Sequence, residues 1–275
     1  MSGRLAPVPL SGHQAGTCLG VDLCWQSRGG AGGGGVYGGT VFAWYEDRSG
    51  VVRAVTDRSA GVSTGRYGGL NLGAHVDDTP DAVATNRRLL AERLGRPVVY
   101  LNQCHGAEVA VVDGVPDVPP NCDGVVTRSA LVALAVLVAD CVPVLLAGTG
   151  GVVAAVHAGR PGLVAGVVPR TLEVMRDLGA GDVDAVVGPS VCGRCYEVPA
   201  AMRDVAARVQ PVSATVSWTG TPAVDVAAGV VAQLRDAGVE VRWVPGCSRE
   251  RDDLYSYRRD GRTGRFAGVV ARSEA

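Results

Sequence analysis

The chain has 275 residues, 47% hydrophobic and 19% charged, with a formal net charge of −1. This is enough for one large or two small globular domains with a real core, and the charge balance argues against nucleic acid or an anionic membrane surface as partner. The 26 basic side chains are all Arg, which excludes a Walker A loop, a Schiff-base lysine and a lysine anchor for pyridoxal phosphate.

Residues 1–38 read as a flexible low-complexity tail, centred on "SRGGAGGGGVYGG". His13, Cys18 and Cys24 lie there and receive no role. No charged segment followed by an apolar core opens the chain. The longest apolar run, "ALVALAVLVADCVPVLLAG", is broken by Asp140 and Pro143, so no membrane span is expected. A cytoplasmic protein with reduced thiols, monomeric or homodimeric, is the resulting expectation.

Order is expected over 39–272, as a single domain. "TVFAWYE" and "VVRAVTD" read as a strand pair. "TPDAVATNRRLLAERLG" reads as a helix: Thr79 is the N-cap, Pro80 takes the first position, Asp81 follows and Gly95 stops it. Val83, Leu90 and Leu94 share its apolar face. The Val-rich stretches "VVYLNQ", "EVAVVD", "DGVVT", "LVALAVLVA", "PVLLA", "GVVAAVH" and "DVDAVVG" read as strands, as do "VEVRWV" and "RFAGVVA". Helices are expected near 163–177, 199–209 and 225–237, with Pro169 kinking or delaying the first. Hairpins and helices mix without a strict βαβ alternation, so the fold class is α+β, with mixed α/β layers.

The chemistry gathers around "VADCVPVLLAGTGGVVAAVHAGRPG". With "GTGG" as the turn, Ala147 faces Val152, Cys141 faces Ala158 and Val142 faces His157. Asp140, Cys141 and His157 then meet at the open end of an apolar hairpin. Polar groups placed there need partners. A hydrogen-bonded Cys–His pair would be one explanation. "YLNQCHGAEV" adds His105, in a short loop after another apolar strand. His105, Cys141 and His157 form a three-ligand zinc set with the fourth position open, the pattern of a catalytic site. Cys104 and Cys122 are close enough in sequence to substitute. The Gly-rich turn after His157 runs into a helix, whose N-terminus could hold an anion. Asp140 could fix a ligand, move a proton or cap the strand.

Six motifs occur in order: "GGLNLGAHVDDTPDAVATNR", "NQCHG", "ADCVPVLL", "HAGRPGL", "GPSVCGRCYEV" and "LYSYRRDGRTGR". Together, over residues 52 to 270, they resemble the family known as peptidoglycan editing factor or polyphenol oxidase (laccase-domain), whose members act as purine nucleoside phosphorylases. The resemblance implies a compact mixed α/β domain. It implies one zinc held by His105, Cys141 and His157, and phosphorolysis of adenosine, inosine and methylthioadenosine, with adenosine deamination as a further activity. Purine nucleosides and phosphate are the implied partners. Arg66, Arg160 and Arg258 are the candidate phosphate binders, since Arg pairs with phosphate bidentately. Asn71, His75 and Gln103 are the candidate readers of ribose or base. Many members have Trp-Arg where this chain has Arg160 and Pro161, which leaves Arg160 to meet phosphate from one position earlier. Gly69 stands where many members have Ser.

Three other readings compete. A copper oxidase would need a blue copper and a trinuclear cluster with many imidazoles, and four His do not supply them. A cysteine hydrolase would use Cys141 as nucleophile, His157 as base and Asp140 or His105 as orienter. An interaction module would close a structural zinc with Cys104. The pair Cys192 and Cys195, in "CGRC", reads as two packed thiols rather than a redox pair.

Overall fold

The structure, a computed structural model, describes residues 41–273. The tail assigned to residues 1–38, with His13, Cys18 and Cys24, lies outside the described residues.

The elements follow in chain order: β1 (Phe42–Arg48), β2 (Val51–Thr56), α1 (Pro80–Leu94), β3 (Val98–Val99), β4 (Val109–Val111), β5 (Gly124–Thr127), β6 (Ala133–Val138), β7 (Val142–Gly148), β8 (Val152–Ala158), α2 (Arg160–Ala165), α3 (Val167–Asp177), β9 (Val183–Val187), α4 (Ala200–Val209), β10 (Ala214–Val216), β11 (Pro222–Val224), α5 (Val226–Asp236), β12 (Glu240–Trp243), α6 (Tyr257–Asp260) and β13 (Phe266–Arg272). They form a five-stranded sheet, β1-β2-β13-β6-β3, a six-stranded sheet, β12-β9-β7-β8-β5-β4, and the small hairpin β10-β11. Pairings are mainly antiparallel, but β3–β6, β4–β5 and β9–β12 run parallel. This is the expected α+β class with mixed sheets.

Alternation along the strands sorts the side chains into layers. Leu134 and Val136 of β6, Val270 of β13, Leu145 of β7, Val153 and Ala155 of β8 and Val186 of β9 meet between the two large sheets. The opposite face of the six-stranded sheet, with Val144, Leu146 and Val156, packs on Leu163, Leu172 and Met175 of α2 and α3 and on Val230 and Leu234 of α5. Leu90 of α1 covers the outer face of the five-stranded sheet, against Ala135 and Val269. Each fully buried Leu or Val contributes about 1.5–3 kcal/mol, so a continuous β6–β8 core holds the strand ends to which the functional loops are tied.

The ends of α1 fall at the expected residues, although the Thr79 side chain makes no capping hydrogen bond. Thr79 precedes Pro80 in extended conformation, and Gly95 stops α1 with φ +69°. The helix expected near 163–177 is two helices, and the break is at Gly166, with φ +82°, rather than at Pro169. Pro169 occupies the first turn of α3, where a backbone N–H would have no helical partner anyway.

The β7–β8 register differs from the expected one by a residue. Val142 pairs with Ala158, Pro143 with His157 and Gly148 with Val152. The connection is three residues, Thr149–Gly151, and Gly150 and Gly151 both have positive φ, a pair of conformations that glycine alone adopts without strain. One step of register exchanges the faces of a strand. The observed pairing puts His157 on the inter-sheet side with Leu145 and Ala155, and Cys141 follows the same parity. The sequence-based register would have separated them.

Candidate metal centre and its cavity

Two chain crossovers build the site. After β3 the chain leaves the five-stranded sheet and enters the six-stranded one at β4; the loop between carries His105. After β6 it crosses again into β7, and Asp140 and Cys141 occupy that passage. The broken apolar run around Asp140 is therefore the place where a strand changes sheets. His157 arrives from the end of β8.

One buried carboxylate organises these pieces, and it is Asp123. Its Oδ1 accepts the His105 N–H at 3.0 Å and meets His157 Nδ1 at 2.7 Å; its Oδ2 accepts the N–H of Gly106 at 2.7 Å and that of Cys104 at 3.2 Å. This row of donors holds His105 at φ +60°, a left-handed conformation costly for a residue with a Cβ. Gln103 ties the same loop to the end of β6: its amide accepts the Leu137 N–H and donates to the Leu137 carbonyl, both at 2.8 Å.

Ligand-type atoms of His105, Cys141 and His157 all lie within 4.8 Å of one another. Cys141 Sγ is 3.8 Å from His105 Nε2, and the two imidazoles stand edge to face with centroids 4.7 Å apart. Since His157 Nδ1 is engaged by Asp123, Nε2 is the nitrogen left to face the thiol. Burial opposes charge on both groups, yet the His157 imidazole beside it and the His105 hydrogen bond bring the Cys141 thiol down to about 6. Against the same burial, Cys141 and the Asp123 carboxylate raise His157 to about 9. Each group thus favours the charged form of the other, thiolate beside imidazolium. Burial alone would raise Asp123; the hydrogen bonds from His157, Cys104 and Gly106 prevail and hold it well below the usual carboxylate range.

A soft thiolate and two imidazoles, one of them oriented from behind by a carboxylate, suit a zinc-like ion with one open position. Gly159 leaves the space for it. A Cβ there would lie 2.9 Å from His105 Cδ2 and 3.1 Å from Cys141 Sγ. Gly159→Ala is expected to preserve folding, because the exposed His105 ring can swing away, while lowering metal content several-fold. Elemental analysis alongside a thermal melt checks this; full metal content in the variant would show that the three side chains do not act together.

The open side is a cavity of about 520 Å³. Of the residues singled out in the sequence, His75, Gln103, His105, Asp140, Cys141, His157, Arg160 and Arg258 line it. Two do not. Arg66 is exposed on a turn after β2, and its carbonyl takes a hydrogen bond from Thr263. Asn71 is fully buried, and its amide serves the loops: it accepts from Gly73 N and Arg265 N and donates to Asp78. A side-chain amide in a glycine-rich loop is equally suited to bridging backbone, and here it is buried in that use. Gln103 lines the cavity with an amide that is already paired, once as donor and once as acceptor, with Leu137.

Asp140 is a bracket rather than a partner of the imidazoles. Its Oδ1 accepts from Ser248 Oγ and Ser256 Oγ at 2.6 and 2.7 Å, and its Oδ2 accepts the Arg258 N–H at 2.7 Å. The task of orienting a site imidazole belongs to Asp123, which the sequence reading missed. Only the strand pairing reveals it: β5 pairs with β8 so that Gly124 faces Val156, which puts Asp123 beside His157. Cys104 and Cys122 are turned elsewhere. Cys104 Sγ donates to Asp123 at 3.1 Å, and Cys122 is buried in the inter-sheet core. The helix after His157, α2, has only six residues, too few for the anion-binding N-terminus expected there. Cationic side chains supply that charge instead. Arg258 lies over the Tyr196 ring at 4.5 Å and donates to the Glu197 carbonyl. Arg265, also missed, enters the cavity from the start of β13, with its backbone N–H held by Asn71.

A layered α+β fold with a His–Cys–His set able to hold a metal ion, beside an arginine-rimmed cavity, is the architecture of a small-molecule enzyme. Residues 52–273 match the family described as multi-copper polyphenol oxidoreductase laccase, and the chain belongs to that family. It is 55% identical to a purine nucleoside phosphorylase of Streptomyces coelicolor over 224 residues, 78% of this chain and 93% of the relative. It is 50% identical to a purine nucleoside phosphorylase of Mycobacterium tuberculosis over 226 residues, 79% of this chain and 90% of that protein. Among solved structures, a Neisseria meningitidis protein superposes with a TM-score of 0.76 at 34% identity, covering 86% of this chain and all of that one. YlmD from Geobacillus stearothermophilus gives 0.76 at 30% identity, covering 85% and 99%.

Proposed function

We propose that the protein is a zinc-dependent purine nucleoside phosphorylase acting on adenosine, inosine and methylthioadenosine. The observation that carries this reading is the His105–Cys141–His157 cradle opening onto a cavity whose rim is cationic and whose wall is apolar. Arg160, Arg258 and Arg265 present guanidinium groups suited to phosphate. Leu137, Val138, Val191 and Val226 offer a surface suited to a purine face. The relatives that carry this activity in their names match over nearly their whole length.

In the reaction a phosphate oxygen attacks ribose C1′, the C1′–N9 bond breaks, and the base leaves with the bonding electrons and takes up a proton. The arginines hold the phosphate dianion against the ribose, which removes most of the entropy of bringing two solutes together. His75 is held below its ordinary pKa, first by burial and then by Arg265 and Arg87. It is a neutral imidazole at pH 7, able both to donate and to accept a hydrogen bond to ribose or base. Cys141, His105 and His157 would hold the zinc, which when bound supplies Lewis-acid polarisation of an oxygen at the open position. The carboxylate of Asp140 already serves three donors, so it positions Arg258 rather than moving protons.

The test is chromatography of purified protein with adenosine, with and without phosphate. Phosphate-dependent release of adenine and ribose 1-phosphate is the expected result, lost in His157→Ala. Arg265→Ala is expected to raise the phosphate KM about tenfold or more, the loss of one charge-assisted contact. Inosine without adenine would reveal deamination at the same site. A protein that releases no base, binds no zinc and is inactivated by thiol labelling at Cys141 would favour the hydrolase reading, which the lowered Cys141 thiol suits.

A further inference from the structure

Among the described residues a second set of ligand-type side chains clusters apart from the cavity lining. The thiols of Cys192, Cys195 and Cys247 and a carboxylate oxygen of Glu250 all lie within 4.8 Å of one another. Cys195 Sγ is 3.1 Å from Glu250 Oε1, and the Cys192 N–H points at Cys247 Sγ at 3.4 Å. Both buried members and the half-buried Cys192 pack with Val191 and Tyr196 in a small cluster of their own. All three thiols are free.

The arrangement has an internal symmetry that packing alone does not require. "CGRC" and "CSRE" each place two ligand-type residues three apart. Each is folded as a tight turn on its first Cys: Cys195 N and Tyr196 N donate to the Cys192 carbonyl at 2.9 and 3.0 Å, and Glu250 N and Arg251 N donate to the Cys247 carbonyl at 3.1 and 3.0 Å. The turns are joined side by side, because Ser190 and Cys247 form a bridge in which Ser248 N donates to the Ser190 carbonyl at 3.0 Å. Two short-spaced ligand pairs on adjoining turns are the construction of closed zinc sites, where Zn–S is about 2.3 Å and Zn–O about 2.0–2.2 Å. Tetrahedral ligands at those lengths stand about 3.5–3.8 Å apart, a separation these four atoms reach by small side-chain rotations.

We propose that Cys192, Cys195, Cys247 and Glu250 hold a second, structural zinc ion. Thiolate-rich donors select zinc over harder cations, and four protein ligands leave no position for substrate. The ion would staple two loops that both serve the cavity. One delivers Val191 and Tyr196 to its wall, with Arg258 stacked on Tyr196; the other delivers Ser248 to Asp140. This site shares no ligand with the His105–Cys141–His157 cradle and does not depend on the proposed reaction.

The experiment is elemental analysis of the purified full-length protein after exhaustive dialysis, for wild type, His157→Ala, Cys195→Ser and Glu250→Gln. Two zinc per chain are expected in wild type. His157→Ala should keep the thiolate-bound ion, and cobalt exchanged into that variant should show sulfur-to-cobalt charge-transfer absorption. Glu250→Gln, a near-isosteric change at an exposed residue, should lose one equivalent to a chelator at concentrations that leave wild type intact, and Cys195→Ser should lose it outright. A single zinc in wild type that vanishes completely in His157→Ala overturns the proposal whether or not Cys195→Ser folds. So does a Cys192–Cys195 disulfide found by mass spectrometry in protein purified without reductant.

Discussion

Asp123→Asn is expected to lower zinc affinity at the cradle by about 10- to 100-fold, the usual cost of losing the carboxylate behind a metal-binding imidazole. The reason is donor arithmetic. Every group facing Asp123 is a donor: the backbone N–H groups of Cys104, His105 and Gly106, the Cys104 thiol and His157 Nδ1. An amide must turn its NH2 toward one side of that set, so donor meets donor in a fully buried place, and an unmet buried donor costs about 1–3 kcal/mol. If the NH2 faces the His157 side, the imidazole loses its fixed tautomer. If it takes the Oδ2 place instead, the Cys104 and Gly106 N–H groups lose their acceptor, and the loop that carries His105 at positive φ is loosened on both sides of it. Either outcome separates two ligands. Competition with a chromophoric chelator measures the affinity, and phosphorolysis at limiting zinc should fall in parallel. An unchanged affinity would show that Asp123 only supports the fold.

How much of this was legible in the sequence depends on what each residue answers to. The strands read correctly because burial on both faces makes them nearly continuous Val, Leu and Ala, and α1 was marked at both ends by Thr79, Pro80 and Gly95. The three ligand-type residues stood out because His is scarce and each ends an apolar strand. Legibility stopped where function depends on pairing across distant segments. Asp123 resembles an ordinary residue before a strand until β5 is laid beside β8. Asn71 belongs to a motif that could equally serve backbone, and only the folded loops show that it is spent on Gly73, Asp78 and Arg265. The β10–β11 hairpin was missed because three-residue strands leave too short an alternation to read. The Cys192–Glu250 cluster joins residues 58 positions apart at its extremes, and "CSRE" carries no signal until the fold sets it against "CGRC".

Asp140→Gly is expected to separate positioning from chemistry more sharply than any change at the ligands. Asp140 has φ +106°, a conformation in which glycine is at ease and a side chain is strained. Gly relieves that strain and removes the acceptor of three hydrogen bonds, from Ser248, Ser256 and Arg258. The lost bonds outweigh the relief, since two of the donors belong to fully buried serines; a net loss of about 2–4 kcal/mol is expected, visible as a lower denaturant midpoint. The functional effect follows from where the released segment leads. Arg258 is the second residue of α6; its backbone N–H is pinned to Asp140 and its side chain lines the cavity, so the bond fixes the base from which the guanidinium extends. Freed, it no longer stays stacked on Tyr196, and the KM for phosphate should rise about tenfold while zinc content stays at the wild-type level. Asp140→Asn keeps one oxygen for the serine hydroxyls and turns its NH2 toward the Arg258 N–H, so it should keep most of the stability and still raise the KM. If kcat collapsed in Asp140→Asn with KM unchanged and zinc intact, Asp140 would be handling a proton, and the bracket would be only half of its role.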